Sequence, residues 1–276
     1  MPARVRLDRE LVRRGLAPSR EAAGAAVRAG KVLVAGSLAA KPSALVSTAD
    51  PVELTAPARR WASRGGDKLA PALQRLVVPV AGRRCLDAGA SSGGFTDVLL
   101  AAGAAAVVAV DVGYGQLDLR LGADPRVMVL DRTNVRSLTT EAIGGPVGVV
   151  VADLSFISLR LVLPVLAALV EPDGASDFVL LVKPQFEAGR EAVGKGGVVR
   201  DPVVRAAAVR AVAEAAWTLG LGVAGLCASE LPGPAGNVEF FLHLRAAAGP
   251  LDESALAAVV AGPVPVPAST TKEASR

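Results

Sequence analysis

The chain has few of the side chains that cross-link a fold or bind a metal: two cysteines, one histidine and 3% aromatic residues among 276. Two cysteines cannot build a disulfide framework, and Cys85 and Cys227 both lie in apolar runs typical of a protein core. Two separated cysteines and a single histidine are too few ligands for a Cys/His zinc site, and we predict no metal requirement. That histidine, His243, alternates with apolar residues, which indicates a structural side chain.

The sequence also lacks a long apolar segment, although hydrophobic residues make up 51% of the chain and the mean hydropathy is +0.44. No run of about 18 residues is free of charges, prolines and glycines, so no membrane span is predicted. Residues 159–174 contain Arg160 and Pro164 and suit a buried helix better. The first ten residues lack the apolar core of a signal peptide, and we expect a cytoplasmic protein.

Charge is distributed unevenly along the chain. Residues 1–70 hold 13 Lys and Arg against six Asp and Glu, a net charge of +7, whereas residues 71–276 hold 17 against 20, a net charge of −3. A basic N-terminal segment followed by a mildly acidic remainder is typical of a protein that binds a polyanion. A solvated basic face without a partner is the alternative.

Residues 1–58 predict a small α+β domain. Leu7, Leu11 and Val12 have helical spacing, Ser19 can cap a second helix that ends at Gly30, and KVLVAGSLAAKPS reads as a hairpin. The stretch RLDRELVRRGLAPSREAAGAAVRAGKVLVAG resembles the S-four-type RNA-binding domain, or α-L motif. The resemblance implies a basic face that contacts the phosphates of folded RNA. The predicted RNA-binding residues are Arg6, Arg9, Arg13, Arg14, Arg20, Arg28, Lys31, Arg59 and Arg60.

The remainder of the chain predicts a Rossmann-like α/β domain. Residues 59–64 form an expected linker, and a helix opens at Lys68. Within 65–250, continuous apolar runs alternate with helical patterns at 94–102, 158–171 and 202–219, which favours a mostly parallel, doubly wound sheet. Residues 251–276 are expected to form a terminal helix and a disordered Pro/Ser/Thr-rich tail. The six predicted strands are CLDAGA, AVVAVDVG, VMVLD, VGVVVADLSF, DFVLLVKP and VEFFLHL.

Residues 86–97, LDAGASSGGFTD, form a glycine-bearing turn between a strand and a helix. The turn lacks the lysine of a Walker A loop and the spacing of the dinucleotide fingerprint GxGxxG. Acidic residues end this strand and the next two. Carboxylates without a cation in the turn suit a ligand that has a ribose but no phosphates, such as S-adenosylmethionine, and a purely structural turn is the alternative. The predicted cofactor-binding residues are Asp87, Gly89, Ser91, Gly93, Gly94, Phe95, Asp111 and Asp131.

Four charged residues occupy positions where a parallel sheet gathers its ligands. Asp153 and Lys183 follow the fourth and fifth predicted strands, so they share the rim where Asp87 lies. Glu239 interrupts the apolar last strand, where an acid needs a partner, and Lys68 precedes the first strand. The order Lys68, Asp153, Lys183, Glu239 resembles the Lys-Asp-Lys-Glu tetrad of FtsJ-like ribose 2′-O-methyltransferases, which implies that these four residues are catalytic.

Longer stretches, among them SRGGDKL, AVDVGYGQLDLRL and ADLSFISL, resemble the TlyA family, whose members are known both as haemolysins and as rRNA methyltransferases. The resemblance covers residues 5–245. It implies S-adenosylmethionine as cofactor, cytidine ribose in ribosomal RNA as acceptor, and ribosomal RNA or ribosomal subunits as partners. Two residues depart from the family pattern: Ala62 stands where valine is frequent, and Asp131 where glutamate is common.

The sequence leaves the chemistry of Lys183 and the overall function open to alternatives. Lys183 is either a general base, which requires a pKa lowered from about 10.4, or a cation that orients the hydroxyl. Residues 185–202 are predicted to form a flap whose Arg190, Lys195 and Arg200 contact phosphates. The competing functions are a membrane-active haemolysin, an RNA-binding protein with an inactive methyltransferase fold, and a small-molecule methyltransferase.

Overall fold

The computed structural model describes residues 4–17, 19–28, 30–54, 60–171, 174–189 and 193–262, together with the backbone but not the side chain of Lys195. Two compact units are present, Met1–Arg60 and Trp61–Arg276. Arg59, Arg190 and the predicted tail beyond residue 262 lie outside the described residues.

The first unit is the small α+β domain expected from the sequence. Leu7 and Leu11 on one helix and Ala23 and Val27 on the other are almost fully buried, and they form its core with apolar strand residues. The hairpin turn places Ala35 and the following glycine at positive φ, as a two-residue turn between twisted strands requires. The elements are β1 (Arg4–Arg6), α1 (Leu7–Arg13), α2 (Arg20–Arg28), β2 (Val32–Val34), β3 (Ser37–Leu38), β4 (Leu45–Ser47) and β5 (Val52–Leu54).

The second unit is built on one seven-stranded sheet with helices on both faces. Its helices are α3 (Arg64–Arg75), α4 (Gly94–Ala101), α5 (Leu119–Gly122), α6 (Leu163–Ala168), α7 (Pro184–Glu187), α8 (Pro202–Trp217) and α9 (Glu253–Ala261). Its strands are β6 (Arg84–Ala88), β7 (Ala106–Val110), β8 (Val127–Leu130), β9 (Val149–Ala152), β10 (Asp177–Val182), β11 (Gly222–Ala228) and β12 (Phe240–Arg245). No helix of the described part of the chain is long and apolar enough to cross a membrane.

The strand order is β11-β12-β10-β9-β6-β7-β8. The five strands from β10 to β8 are parallel, whereas β12 runs antiparallel to both β10 and β11. In the β10–β12 pair, Val182 stands opposite Phe240. The expected doubly wound, mostly parallel sheet is therefore confirmed, with an antiparallel pair at one edge.

Alternate residues of the strands face two separate cores. Leu86, Val150 and Leu180 belong to the core covered by α6, α8 and α9. Cys85 and Val151 belong to the core covered by α3 and α4. Because both faces are covered, the central strands are apolar at nearly every position, and this is the continuous pattern that the sequence displays.

Two boundaries differ from those expected from the sequence. The helix expected to open at Lys68 begins at Arg64, where the hydroxyl of Ser63 accepts the N–H of Gly65 as an N-cap. Most of the predicted linker is part of the second unit: Trp61 is 9% exposed, and the backbone N–H of Ala62 donates to Asp97 at 2.9 Å. A buried tryptophan next to an N-cap makes this segment ordered structure instead of a free linker.

A buried acid organises the end of the sheet opposite to the predicted site. Asp177, which is 0% exposed, is bound by Arg83 at 2.5 Å, by His243 at 2.7 Å and by Arg245 at 3.1 Å. Burial acts to raise the pKa of Asp177, but the hydrogen bonds from His243 and Arg83 outweigh it and lower the pKa. Arg83 also donates to the carbonyls of Pro79, Gly148 and Ala175. His243 is therefore structural, because its ring nitrogen serves this network.

We expect Arg83→Met to lower the free energy of unfolding by about 3–5 kcal/mol, because it leaves a buried carboxylate and three carbonyls short of donors. Arg210→Met is the matched control, since its partner Glu253 is 60% exposed, and it should have a much smaller effect. Urea unfolding measures both variants. Equal losses for the two would show that the Asp177 network does not stabilise the sheet.

Candidate active site

The four predicted catalytic residues come from one rim of the sheet. Asp153 and Lys183 directly follow β9 and β10, which are parallel neighbours. Glu239 directly precedes β12, which runs the other way, so it lies at the end of β12 where Phe240 pairs with Val182, the residue before Lys183. Lys68 reaches this rim from α3. Topology thus brings together residues that are separated by up to 171 positions in the chain.

These residues form two ion pairs. Nζ of Lys68 lies 2.7 Å from Oε2 of Glu239, and the two side chains are 8% and 1% exposed. Nζ of Lys183 lies 2.6 Å from Oδ1 of Asp153, with exposures of 10% and 22%. The ammonium of Lys183 also donates to the hydroxyl of Ser155 at 2.9 Å. Each buried charge therefore has an opposite charge beside it, which offsets its desolvation.

A cavity of about 490 Å³ opens next to the tetrad, within the range of small-molecule sites. Among its described lining residues none is Lys or Arg, whereas Asp111 and Asp153 both line it. Gly89 allows the close approach of two loops, because a Cβ there would lie 2.6 Å from the carbonyl oxygen of Asp153. The lining residues are Gly89, Ser91, Val110, Asp111, Val112, Gln116, Asn134, Val135, Asp153, Leu154, Ser155, Phe156, Ile157 and Val162.

Three residues of the glycine turn that were predicted to bind cofactor shape the turn and the core instead of lining this cavity. The side chain of Phe95 is 3% exposed and its ring packs 6.1 Å from that of Phe241. Gly93 has φ 94, and a Cβ there would collide with Leu121. A Cβ on Gly94 would collide with the hydroxyl oxygen of Ser63, so this glycine lets α3 and α4 begin in close contact. Close packing of the turn and its helices therefore accounts for the two glycines and for the phenylalanine.

The acids after β7 and β8 hold loops. The two carboxylate oxygens of Asp111 accept the backbone N–H groups of Ser91 at 2.8 Å and Gly113 at 2.7 Å. Asp131 accepts the N–H of Gly115 at 2.9 Å and does not line the cavity. Asp111 therefore sits at the cavity with its orientation fixed, whereas Asp131 supports the neighbouring loop.

Asp87 lies beneath the glycine turn and is 0% exposed. Burial raises its pKa to about 7, although the hydroxyl of Thr96 donates to Oδ2 at 2.7 Å and acts in the opposite direction. Its Oδ1 is buried and has no hydrogen-bond partner among the described residues. Asp87 is thus a carboxyl group whose charge depends on pH near neutrality.

Several residues at the site carried no signal strong enough to single them out in the sequence. Gln116 and Asn134 line the cavity from loops, and Ser155 binds Lys183. Asn237, which is 2% exposed, accepts the N–H of Val199 at 2.9 Å and so connects the start of β12 to the predicted flap. Of these residues, Gln116 and Ser155 belong to motifs, AVDVGYGQLDLRL and ADLSFISL, that carried a family resemblance.

The basic cluster of the first unit is ordered by two buried acids. Arg6 and Arg20 bind Asp8, which is 5% exposed, at 2.9 and 3.0 Å. Arg13 binds Glu10, which is 1% exposed, at 2.5 Å and remains 60% exposed itself. The hydrogen bond from Arg6 is the largest influence that lowers the pKa of Asp8.

Arg14 differs from the other predicted RNA contacts because it is only 21% exposed. It binds Glu10 at 2.7 Å and donates to the backbone carbonyls of Asp50 and Thr48. Its donors serve packing between α1 and the turn after β4, so the structure assigns it a structural role. Arg9 and Arg28 are exposed, and Lys31 is half-buried.

Comparison with known proteins assigns each of the two units to a family. Residues 61–246 match the family model for FtsJ-like methyltransferases, and residues 5–52 match that for the S4 domain. The 16S/23S rRNA (cytidine-2′-O)-methyltransferase TlyA of Mycobacterium tuberculosis is 57% identical over 246 residues, which cover 89% of this chain and 91% of that protein. Hemolysin A of Brachyspira hyodysenteriae is 34% identical over 240 residues, covering 87% and 99% respectively. The solved structure of a hemolysin-named protein from Streptococcus thermophilus has a TM-score of 0.70 and 38% identity, with 95% of each chain covered.

The raised pKa of Asp87 predicts a pH-dependent stability. Between about pH 4 and pH 7 the folded state keeps a proton that the unfolded chain has lost, so the free energy of unfolding falls as pH rises and stays low above this window. We expect Asp87→Asn to remove this decline and to be more stable than the unchanged chain near about pH 8, by up to about 4 kcal/mol. Denaturant unfolding of the ligand-free protein at about pH 5 and about pH 8 measures the effect. An identical pH dependence in both proteins would contradict it.

Proposed function

This chain belongs to the TlyA group of FtsJ-like methyltransferases, and on that premise we propose that it is an S-adenosylmethionine-dependent 2′-O-methyltransferase that acts on cytidine ribose in ribosomal RNA. The observation that carries the proposal is the presence of two ion pairs, Lys68–Glu239 and Lys183–Asp153, beside a cavity whose described lining residues include no Lys or Arg. Because the proposed substrate is ribosomal RNA, we propose that the enzyme acts in the cytoplasm.

The lining of the cavity fits S-adenosylmethionine better than a phosphorylated ligand. The carboxylates of Asp111 and Asp153 would favour a positively charged ligand and repel phosphates. Gln116 and Asn134 add polar groups, and Gly89 lets the backbone approach closely. When bound, S-adenosylmethionine supplies an electrophilic methyl group on a sulfonium centre.

Lys183 is the residue that we assign to the acceptor hydroxyl. An ammonium carries three N–H donors; one donates to the hydroxyl of Ser155, and the charge forms an ion pair with Asp153 without a hydrogen bond to Oδ1. A remaining N–H would bind the ribose oxygen, hold it in line for attack and stabilise the charge that develops on it. The geometry therefore favours an orienting cation over a general base. Lys68 and Glu239 would support it by keeping the neighbouring charges paired.

Phe156 offers a surface for a base of the RNA. The residue is 92% exposed, and its backbone has φ 64, a conformation that a bulky side chain rarely adopts. The ring contacts that of Phe186 at 5.1 Å, next to Lys183. An exposed aromatic held at a strained backbone position beside a catalytic lysine suits stacking with an unpaired base.

The first unit would bind the RNA backbone. Asp8 and Glu10 hold Arg6, Arg13 and Arg20 in place while leaving them 42%, 60% and 53% exposed. Fixed guanidinium groups suit phosphate contacts, which position the substrate without reading its sequence.

The test of the proposed function is labelled methyl transfer from S-adenosylmethionine to ribosomal subunits that lack the modification, followed by mass spectrometry of the nucleosides. We expect 2′-O-methylcytidine, and label on a base or on no nucleoside would contradict the proposal. Lys183→Met should lower the rate about 10²–10³-fold. Lys183→Arg keeps the charge but cannot act as a base, so it should retain more activity than Lys183→Met if Lys183 is an orienting cation.

Phe156→Ala should weaken RNA binding about tenfold or more, because stacking contributes about 1–3 kcal/mol per base; since Phe156 also lines the cavity, the affinity for S-adenosylmethionine is measured separately. Phe156→Tyr keeps the aromatic face and is the matched control. The measurements are KM for the RNA and calorimetric titration with S-adenosylmethionine. Equal KM values for the alanine and tyrosine variants would rule out stacking.

A further inference from the structure

One buried acid beside the tetrad joins the loop after β10 to the loop after β9. Glu187 ends α7, four residues after Lys183, and its side chain is 1% exposed. Oε2 accepts the hydroxyl of Ser158 at 2.5 Å, and Oε1 accepts the backbone N–H of Leu159 at 2.7 Å. Both carboxylate oxygens of Glu187, in the loop after β10, thus bind the loop after β9.

The location of this acid makes its hydrogen bonds obligatory. A buried carboxylate without donors is costly, so the loop after β9 must keep Ser158 and Leu159 in place for Glu187 to remain buried. Arg160 adds a longer contact, with Nε 3.5 Å from Oε2, but its side chain is 46% exposed. The two short hydrogen bonds therefore determine the geometry.

The loop that Glu187 holds carries three groups of the proposed site. Asp153 and Ser155 bind Lys183 at 2.6 and 2.9 Å, and Phe156 contacts Phe186. Phe156 also has positive φ, which persists only where the surrounding structure imposes it. Ser158, which bonds to Glu187, lies two residues beyond Phe156.

We propose that Glu187 is a positioning residue for methyl transfer, a role that rests on the proposed function. Its carboxylate clamps the segment 153–159 against the segment 183–187, so that Asp153 and Ser155 meet the ammonium of Lys183 and the ring of Phe156 stands out toward the RNA. Both oxygens of Glu187 are bonded within the protein, so we assign it an effect through this loop and not a contact with substrate.

The test compares Glu187→Ala with Glu187→Gln in the full chain. Alanine removes both acceptors, whereas a glutamine can still accept the N–H of Leu159 and donate to the hydroxyl of Ser158. We expect Glu187→Ala to lower kcat about 10²-fold, as a displacement of about 1 Å can, measured at saturating S-adenosylmethionine because the clamped segment also lines the cavity. Glu187→Gln should restore most of kcat. Glu253→Ala, which removes an exposed acid bonded to Arg210, is the matched control and should retain full activity.

Hydrogen exchange supplies a readout that does not depend on activity. In Glu187→Ala, peptides that span 153–162 should exchange faster than in the unchanged chain, while peptides of β6 and β7 should not change. Faster exchange confined to this loop together with a loss of kcat that Glu187→Gln restores supports the proposal. An unchanged kcat, a loss that Glu187→Gln does not rescue, or unchanged exchange in 153–162 overturns it. If the unchanged chain transfers no methyl group to RNA, the proposed function fails, and the exchange data still decide whether the clamp exists.

Discussion

The antiparallel pairing of β12 with β10 is the constraint on which the site depends. In a wholly parallel sheet the residue preceding a strand lies at the opposite end from the residue that follows its neighbour. Because β12 is reversed, Glu239 before it stands beside Lys183 after β10. The parallel pairing of β9 with β10 then adds Asp153 from the other side. Two acids and two lysines thus meet at one rim, and each buried charge is offset by the charge next to it.

Buried carboxylates recur in this protein wherever segments must be held in place. Asp8 and Glu10 order the arginines of the first unit, Asp177 gathers three basic side chains at one end of the sheet, and Glu187 joins two loops at the other. An acid without donors is costly in a low-dielectric interior, so each one forces specific partners into position. Asp87 is the contrasting case, because its hydrogen bond from Thr96 is not sufficient to keep its pKa low.

The sequence predicted the strands that are buried on both faces, since short continuous apolar runs between helical patterns are typical of a parallel sheet covered on both sides. It missed β11, whose residues GVAGLCA include two glycines and which pairs with only one neighbour at the sheet edge. Of the predicted site residues, the four tetrad members form two ion pairs, whereas Phe95 packs in the core and Asp131 holds a loop. Residue type and strand position do not state which way a side chain turns, and that direction separates a ligand contact from a packing contact.

The sequence by itself determined the fold class and the family, and it singled out the four charged residues of the tetrad. Apolar periodicity and long motifs can be read from the order of the residues alone. The tertiary structure alone decided how those charges are paired, which acids face the cavity and which of the arginines remain exposed. Arg14 and Arg13 are adjacent in the chain, yet one is 21% and the other 60% exposed. Such differences arise from contacts between residues far apart in sequence, whose distances are set only when the strands pair and the helices pack.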